Sequence, residues 1–460
     1  MATRACLPLV LLAAACLTIG AGAQSQRPPN ILVIVADDMG YADIGVHGSR
    51  DIPTPNIDAL ARDGVRFTDA YVSGPYCSPT RAGFLTGRYP QRFGHEFNLG
   101  AQHREFGLPL EETTIADRLK AAGYRTALFG KWHLGMGEKY HPLRRGFEEF
   151  FGFLGGAHTY IDVGTGQNPL LEGTTPVESF DGYLTDALAE RASAYVKQQA
   201  SKPFFLYLAF NAAHTPMQAT RNYLDKFAHI QDERRRTYAA MVSAMDDGIG
   251  KVLGTLREQN LDQNTLVIFF NDNGGPTMET TTINGASNAP LRGSKRTTWE
   301  GGIRVPFMLR WTGRLPGGHV DKRPIIQLDV LPTALAAAGI DAGKSNRLDG
   351  VDLLPFLTGA GKGLPHETLY WRMGGMMATR HGDWKLVKTR EGAFVDADPA
   401  ALSSLTGAEL YNLADDIGES KNLAAARPEK VKELGDRWQL WNKELAKPRW
   451  GPPPGGGQQR

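Results

Sequence analysis

The stretch that decides the fold is Asn30–Ala36, NILVIVA, an apolar run followed at once by Asp37 and Asp38. A short run of aliphatic residues without polar alternation is typical of a strand buried on both faces of a parallel sheet. The two carboxylates then lie at the carboxyl end of this strand, the edge where open α/β sheets hold their sites. The stretch predicts an α/β fold with acidic side chains at its functional edge.

The same design recurs along the chain. Further apolar runs that end in polar residues occur at 124–129, 204–210 and 266–270. Segments with helical periodicity lie between them, at 113–122, 184–199 and 232–259. Alternating strands and helices predict a mostly parallel central sheet with helices on both faces.

The composition changes after about residue 357, where TGAGKG at 358–363 is typical of a linker. Short strands are predicted at 369–372, 376–380 and 384–388, and an amphipathic helix at 428–445. We therefore predict a catalytic domain at 24–357 and a small C-terminal α+β subdomain with a short antiparallel sheet at 358–448. The remaining residues, 449–460, are rich in Pro and Gly and predict a disordered tail.

The first 23 residues have the features of an export signal: Arg4 near the start, an apolar run from Leu7 to Ile19, and small residues at 21–23. The run is shorter than the roughly 20 residues that span a bilayer, and no later segment is apolar enough, so no stable membrane insertion is expected. We expect an exported protein, periplasmic or secreted. Lys plus Arg number 51 and Asp plus Glu 49, a net charge of +2, which gives no general field for binding nucleic acid.

Cysteine use is informative in an exported protein. Cys6 and Cys16 would leave with the signal, so Cys77 remains with no partner for an intramolecular disulfide. A lone thiol in an oxidising compartment is either buried in the core or chemically used. The residues around Cys77 favour the second alternative.

Residues 77–88 read CSPTRAGFLTGR, with proline two places after Cys77, arginine four places after it, and a Thr-Gly pair further on. This pattern resembles the signature of the type I sulfatases, members of the alkaline phosphatase-like superfamily. Asp37-Asp38, residues 123–135 (GYRTALFGKWHLG), 271–274 (NDNG) and 293–302 (GSKRTTWEGG) resemble further motifs of that family. The sequence at 146–158, GFEEFFGFLGGAH, is most similar to bacterial glycan and aryl sulfatases.

The resemblance implies that a formylglycine-generating enzyme oxidises Cys77 to formylglycine, a partner needed only during maturation. A hydroxyl of the hydrated aldehyde then attacks the sulfate ester, giving a covalent sulfo-enzyme intermediate. The catalytic residues implied are Cys77, Arg81, Lys131, His133, His214 and Lys295. The cations would bind the sulfuryl oxygens, His214 with Lys295 would protonate the leaving alcohol, and His133 would drive release of sulfate.

The predicted metal ligands are Asp37, Asp38, Asp272, Asn273 and the modified residue 77. Carboxylate and amide oxygens without histidine or thiolate suit a hard cation, so we expect Ca²⁺, with Mg²⁺ as the alternative. The competing interpretation is that these residues only cap turns at strand ends.

Substrate-binding residues are less clear from the sequence. Residues 150–160 combine aromatic and glycine residues suited to a loop that lines a pocket, and a core segment plus turn fits equally well. Candidate sugar contacts are His158, Tyr160, Arg292 and Trp299, and the expected substrate is a sulfated small molecule or glycan. The alternatives are a phosphonate monoester hydrolase or phosphodiesterase, and an inactive exported glycan-binding homologue.

Overall fold

A computed structural model describes residues 1, 27–164, 166, 168–279, 281–343, 347–389 and 405–451. Apart from Met1, the predicted signal peptide lies outside the described residues, as do residues 452–460 of the predicted tail. The strands are β1 (Asn30–Ala36), β2 (Val65–Phe67), β3 (Ala70–Tyr71), β4 (Arg125–Lys131), β5 (Glu149–Phe153), β6 (Leu171–Glu172), β7 (Thr175–Pro176), β8 (Phe204–Ala209), β9 (Thr265–Asn271), β10 (Phe307–Arg310), β11 (His319–Asp321), β12 (Ile325–Ile326), β13 (Thr368–Met373), β14 (Met376–His381), β15 (Trp384–Lys388) and β16 (Glu409–Asn412). The helices are α1 (Pro55–Arg62), α2 (Cys77–Thr86), α3 (Ile115–Ala121), α4 (Leu184–Gln198), α5 (Arg221–Lys226), α6 (Glu233–Glu258), α7 (Glu300–Ile303), α8 (Val330–Ala337), α9 (Leu354–Leu357) and α10 (Pro428–Asn442).

The main sheet has ten strands in the order β11-β2-β10-β9-β1-β8-β4-β5-β6-β7. Its centre, from β9 through β1, β8 and β4 to β5, is parallel throughout. The strand β10 joins antiparallel to β9, and β6 and β7 form an antiparallel edge. The predicted fold class is confirmed: a large, mostly parallel sheet carries the functional edge.

The alternation along β1 shows why this run is a buried strand. Leu32 and Ile34 belong to the core on one face, together with residues of α4 and α6. Ile31 and Val33 belong to the core on the other face, together with residues of α2, α3 and α8. Because both faces are covered by helices, neither set of side chains can be polar.

The segment at 150–160 is a buried strand as far as Phe153 and lies outside helices and strands from residue 154 to residue 160. Glu149–Phe153 forms β5, which pairs in parallel with β4. The pairing explains the aromatic residues, since Phe151 and Phe153 pack into the core on the α4 side of the sheet. Of the two interpretations of the sequence, the core segment followed by a turn therefore describes residues 149–153.

The C-terminal part contains a four-stranded antiparallel sheet, β13-β14-β15-β16, against which α10 packs. Trp371 joins it to the rest of the molecule, since its indole donates to the Val72 carbonyl at 2.7 Å and its own carbonyl accepts from the Trp438 indole at 2.9 Å. The antiparallel sheet was predicted. A boundary at residue 357 stays a prediction.

The first two residues of the predicted tail, Arg449 and Trp450, contact the loop at 94–97. The backbone N–H of Arg449 donates to the Gly94 carbonyl at 2.9 Å, and the Trp450 indole donates to the Phe97 carbonyl at 3.1 Å. Trp450 is buried among aromatic and sulfur-containing residues near Cys77. The disordered tail from residue 449 stays a prediction, and these contacts arise because a tryptophan supplies apolar surface that the Pro and Gly residues lack.

Candidate active site

The predicted site residues meet at the carboxyl edge of the parallel sheet. Asp37 and Asp38 follow β1, while Asp272 and Asn273 follow the neighbouring strand β9. Lys131 ends β4, with His133 two residues later, and His214 lies in the turn after β8. Since β9, β1, β8 and β4 are adjacent and parallel, their ends converge and bring together residues up to 236 positions apart, as between Asp37 and Asn273.

An acidic cluster lies at the centre of this edge. One potential ligand atom from each of Asp37, Asp38, Cys77 and Asp272 lies within 4.8 Å of the others, and all four side chains are buried. Asn273 donates its amide to Asp38 Oδ1 at 2.7 Å, but its own Oδ1 has no hydrogen-bond partner among the described residues. A buried acceptor without a donor is costly, and a cation would satisfy it. The donor set therefore fits a hard cation such as Ca²⁺ or Mg²⁺.

Cys77 is the first residue of α2 and is fully buried. Its Sγ lies 3.7 Å from Asp37 Oδ1, and it forms no disulfide within the described part of the chain. Burial raises the pKa of the thiol to about 12, so the unmodified side chain stays protonated and is a poor nucleophile.

Each carboxylate of the cluster has a cationic partner. The contacts are Lys131 Nζ to Asp37 Oδ2 at 2.5 Å, Lys295 Nζ to Asp38 Oδ2 at 2.7 Å, and Arg81 Nη2 to Asp272 Oδ2 at 2.8 Å. These six side chains are almost completely buried, so their charges are poorly screened by solvent. Three negative and three positive charges leave the cluster formally neutral.

The two adjacent aspartates differ in acidity. Burial, together with the charge of Asp272, raises the pKa of Asp37 to about 7. Burial acts in the same direction on Asp38, but Lys295 and His214 outweigh it and hold the pKa of Asp38 at about 2. The difference follows from the cations that face each carboxylate.

His133 has one nitrogen committed and one free. Its Nε2 lies 3.1 Å from the Leu99 carbonyl, which can only accept, so Nε2 carries the proton. Its Nδ1 is buried without a hydrogen-bond partner among the described residues. Burial holds the pKa of the ring well below its usual range, so the ring is neutral and its Nδ1 carries an unshared lone pair.

His214 faces the other aspartate. Its Nδ1 lies 2.7 Å from the Thr215 carbonyl, and its Nε2 lies 3.5 Å from Asp38 Oδ2, which also contacts Lys295. Burial lowers the pKa of His214 to about 3 in spite of the attraction of Asp38. The imidazole Nε2 and the Lys295 ammonium therefore face the same carboxylate oxygen and form a pair on one side of the cluster.

Two site residues adopt the left-handed backbone conformation although neither is glycine. The angle φ is +59° at Asp38 and +57° at His133. Such a conformation costs on the order of 1–3 kcal/mol and persists only where the surroundings enforce it. At Asp38, the next N–H, that of Met39, donates to Asn271 Oδ1 at 3.1 Å, and the Asp38 carbonyl accepts from Asn284 Nδ2 at 3.0 Å.

The four candidate sugar contacts are placed differently from one another. Tyr160 is fully buried, and its hydroxyl contacts the carbonyls of Asn211 at 2.5 Å and His214 at 2.8 Å. Its contacts are those of a residue that fixes the His214 turn. His158 stacks on Phe153 with ring centroids 4.9 Å apart and is also buried.

Arg292 and Trp299 lie together near the C-terminal sheet. The guanidinium lies 4.1 Å from the Trp299 ring centroid and donates to the Tyr411 hydroxyl at 2.9 Å. Trp299 is buried, whereas the Arg292 side chain is 37% exposed. Arg292 is thus the most accessible of the four candidates, and the substrate-binding roles stay predictions.

Some residues that shape the site carried no signal in the sequence. Asn284 donates its amide both to the Asp38 carbonyl, at 3.0 Å, and to the Ala213 carbonyl, at 2.8 Å, so it joins the turn after β1 to the His214 turn. Tyr207 lies in the middle of β8, and its hydroxyl accepts from Arg81 Nη1 at 3.1 Å. An asparagine in a loop and a tyrosine in a strand are ordinary occurrences, so only the fold reveals these contacts.

A mostly parallel α/β sheet whose carboxyl edge combines oxygen ligands, buried cations and two histidines defines a hydrolase for anionic esters. Comparisons with known proteins agree. The family model described as Sulfatase matches residues 29–340. Human arylsulfatase A is 36% identical over a 462-residue alignment that covers 91% of this chain and 88% of the relative.

A second curated relative and a solved structure are similar to the chain over most of its length. N-acetylgalactosamine-6-sulfatase of Sus scrofa is 35% identical over 405 residues, covering 84% of this chain and 75% of the relative. The crystal structure of Ps i-CgsB in complex with k-i-k-neocarrahexaose superposes with a TM-score of 0.83 at 36% identity, covering 92% of this chain and 95% of that one. The chain belongs to the sulfatase family, as its motifs predicted, and is a sulfuric ester hydrolase.

Proposed function

We propose that this protein hydrolyses sulfate esters of carbohydrates through a formylglycine formed from Cys77. The observation that carries the proposal is the position of Cys77, within 4.8 Å of three carboxylates that three buried cations neutralise. A protonated thiol in that position is inert, whereas a hydrated aldehyde supplies hydroxyl oxygens. The nucleophilic hydroxyl would then lie among the carboxylate oxygens of the three aspartates.

The oxygen ligands would come from Asp37, Asp38, Asp272, Asn273 and the modified residue 77, with Ca²⁺ as the expected ion and Mg²⁺ as the alternative. When bound, the cation polarises the sulfuryl group and stabilises negative charge. The partnerless Oδ1 of Asn273 supports this ligand set.

Binding of the ester is assigned to the cations around residue 77. Arg81, Lys131 and Lys295 offer fixed N–H donors in a water-poor site, where they neutralise charge that develops on the sulfuryl oxygens. One hydroxyl of residue 77 passes its proton to the adjacent Asp37 carboxylate, whose Oδ1 lies 3.7 Å from Cys77 Sγ, and forms a bond to sulfur as the ester S–O bond breaks. The electron pair of that bond goes to the leaving alcohol oxygen, which takes a proton from the pair formed by His214 and Lys295.

Release of sulfate is assigned to His133. Its Nδ1 is the free nitrogen, so it accepts the proton of the second hydroxyl on residue 77. The carbonyl of the aldehyde re-forms, the carbon–oxygen bond to the sulfate group breaks, and sulfate leaves. The sulfo-enzyme intermediate is resolved in this way without attack of water on sulfur.

The proposed substrate class is a sulfated glycan. Support comes from the names of the relatives: one acts on N-acetylgalactosamine-6-sulfate by its name, and the solved structure of another holds k-i-k-neocarrahexaose. Export to the periplasm or beyond, and maturation by a formylglycine-generating enzyme, complete the proposal. Among the residues that the structure describes, no helix is long and apolar enough to cross a membrane.

The test is a mass spectrum of the peptide that contains residue 77, taken from active enzyme. Conversion of the thiol to the aldehyde makes this peptide about 18 Da lighter. Active enzyme that retains a thiol at residue 77 would contradict the proposed chemistry. The same preparation, assayed on matched sulfate esters, phosphodiesters and phosphonate monoesters, should prefer sulfate, and a preference for a phosphorus ester would favour the alternative hydrolase.

A further inference from the structure

Ser78, the residue after the proposed nucleophile, joins three segments of the site. Its side chain is fully buried, and its Oγ lies 2.7 Å from the His133 carbonyl and 2.6 Å from His95 Nε2. Its backbone N–H donates to Asn98 Oδ1 at 2.9 Å. The first turn of α2, the loop at 95–98 and the turn after β4 are therefore held together at one hydroxyl.

The hydrogen-bond directions in this group are fixed by elementary chemistry. The carbonyl of His133 can only accept, so the Ser78 hydroxyl donates its single hydrogen there. His95 Nε2 must then donate to Ser78 Oγ, which places the proton of the neutral ring on Nε2. Consistent with this form, His95 is fully buried and burial lowers the pKa of its ring to about 3.

His133 is held at two points, one by Ser78 of α2 and one by the loop that carries His95. The His133 carbonyl is held by Ser78, and the His133 ring is held by the carbonyl of Leu99, at the end of the loop that carries His95. His133 has φ of +57°, a conformation that must be enforced by contacts such as these. The orientation of its free Nδ1 therefore depends on this loop.

The loop at 95–98 is in turn covered by Trp450, which follows α10. Trp450 packs edge-on against the His95 ring, with centroids 4.6 Å apart and an interplanar angle of 78°, and its indole donates to the Phe97 carbonyl. Edge-on aromatic contacts of this kind are favourable beyond the area that they bury. A residue from beyond α10 thus stabilises a loop of the catalytic site.

We propose that Ser78 and His95 are positioning residues for His133 and that Trp450 keeps His95 in place. The proposal rests on the function proposed above, in which His133 accepts a proton during release of sulfate. Neither His95 nor Trp450 is assigned a contact with the substrate. The three residues act by holding the imidazole where that proton transfer occurs.

The test compares substitutions that remove a hydrogen bond with ones that keep it. His95→Leu cannot donate to Ser78, whereas His95→Gln retains an amide donor; Ser78→Ala and Ser78→Thr form the matching pair. We expect His95→Leu and Ser78→Ala to lower kcat by about 10-fold to 100-fold, the range for a misplaced catalytic group, with recovery of most of kcat in the Gln and Thr variants. Because release of sulfate is slowed, the loss should be equal for activated and unactivated esters, and sulfated enzyme should accumulate in the intact mass.

Substitutions of Trp450 supply an independent test. Trp450→Ala should lower kcat in the same substrate-independent way, and Trp450→Phe, which keeps a ring against His95, should restore it. This pair decides the question if the buried substitutions at 78 or 95 prevent folding. Unchanged kcat in the folded Leu and Ala variants, or equal losses in both members of each pair, would overturn the proposal.

A structural readout separates this proposal from the proposed function. If the matured wild-type enzyme releases no sulfate from any ester, the proposed function fails. Crystal structures of wild type and Ser78→Ala still test the positioning role: we expect φ of residue 133 to leave the left-handed region in the variant. Retention of the wild-type backbone and ring orientation would overturn the positioning role whatever the activity.

Discussion

The molecule contains two buried ionic clusters with the same charge count and different contacts. The site cluster consists of Asp37, Asp38, Asp272, Arg81, Lys131 and Lys295. The junction cluster consists of Asp69, Glu300, Glu419, Arg304, Arg380 and Lys385, and it joins the main sheet region to the C-terminal sheet. Each has three carboxylates and three cations.

Acidity does not distinguish the two clusters. In the junction cluster, burial raises the pKa of Glu419 to about 7, while Lys385 and Arg304 outweigh burial and hold the pKa of Glu300 at about 2. Asp37 and Asp38 in the site cluster have the same pair of values. Perturbed carboxylates alone therefore mark buried charge and not catalysis.

The clusters differ in whether the polar atoms in and around them have partners. The junction cluster is closed by its own ion pairs: Lys385 Nζ lies 2.8 Å from Glu300 Oε1 and 2.9 Å from Glu419 Oε1, an oxygen that has this ion pair although it has no hydrogen bond within the described chain. Around the site cluster, Asn273 Oδ1 and His133 Nδ1 lack hydrogen-bond partners within the described chain. The site cluster also lies where four parallel strands end. Unsatisfied ligand atoms at a sheet edge, more than charge, separate a reactive cluster from a structural one.

The largest effect should come from removing a carboxylate of the site cluster. Asp272→Ala should lose the bound cation and lower kcat/KM by about 10³-fold or more, because several kcal/mol of transition-state stabilisation depend on the ion. Metal content by elemental analysis and turnover of a sulfate ester check this. Full metal occupancy in the variant, or stoichiometric zinc in active wild type, would contradict the ligand assignment.

The next effect separates the two histidines of the site. Loss of a general acid or base costs about 10²-fold to 10⁴-fold. His214→Ala should lose far more activity on sugar sulfates than on nitrophenyl sulfate, whose leaving group needs little protonation. His133→Ala should instead give a burst equal to the enzyme concentration on either ester and then near silence. Equal losses on both esters in both variants, with no trapped sulfo-enzyme, would reject this division of roles.

A substitution in the junction cluster should instead lower the stability of the fold. Lys385→Met leaves Glu300 and Glu419 facing each other without their shared cation, and breaking a buried pair typically costs about 3–5 kcal/mol. We expect that loss in the free energy of unfolding by denaturant titration, with kcat per folded molecule close to wild type. If the variant keeps its stability and loses kcat, the junction cluster contributes to catalysis. The distinction between a reactive and a structural cluster would then be wrong.

The contrast also shows what sequence can predict. The parallel strands and the residues at their ends follow from apolar runs that stop at charged residues, so Asp37, Lys131 and Asp272 could be placed at one edge beforehand. The junction cluster could not, because Glu300 and Lys385 belong to separate parts of the chain that meet only in the fold. Tyr160 was predicted as a sugar contact from its aromatic character, yet its hydroxyl lies against the His214 carbonyl. Side-chain direction within a loop is set by packing, which leaves no periodic signal.

The smallest effect concerns His366, which joins the segment before β13 to Asp329 at the start of α8. Its Nε2 lies 2.7 Å from Asp329 Oδ1, and although burial lowers the pKa of the imidazole, Asp329 and then Asp349 raise it further, so the net shift is upward. A raised pKa in the folded state means that the protonated ring stabilises the fold below the unfolded pKa of about 6.5, and that this contribution is lost as the pH rises through the folded pKa. His366→Gln keeps an N–H donor but does not titrate.

The difference in the free energy of unfolding between wild type and His366→Gln should therefore be largest under mildly acidic conditions and should shrink as the pH rises. Denaturant titrations of both proteins from about pH 5 to about pH 9 measure it. A difference that grows with pH would mean that His366 is neutral in the folded state. The contact with Asp329 would then be an ordinary hydrogen bond, and this link between the two parts of the chain would not depend on charge.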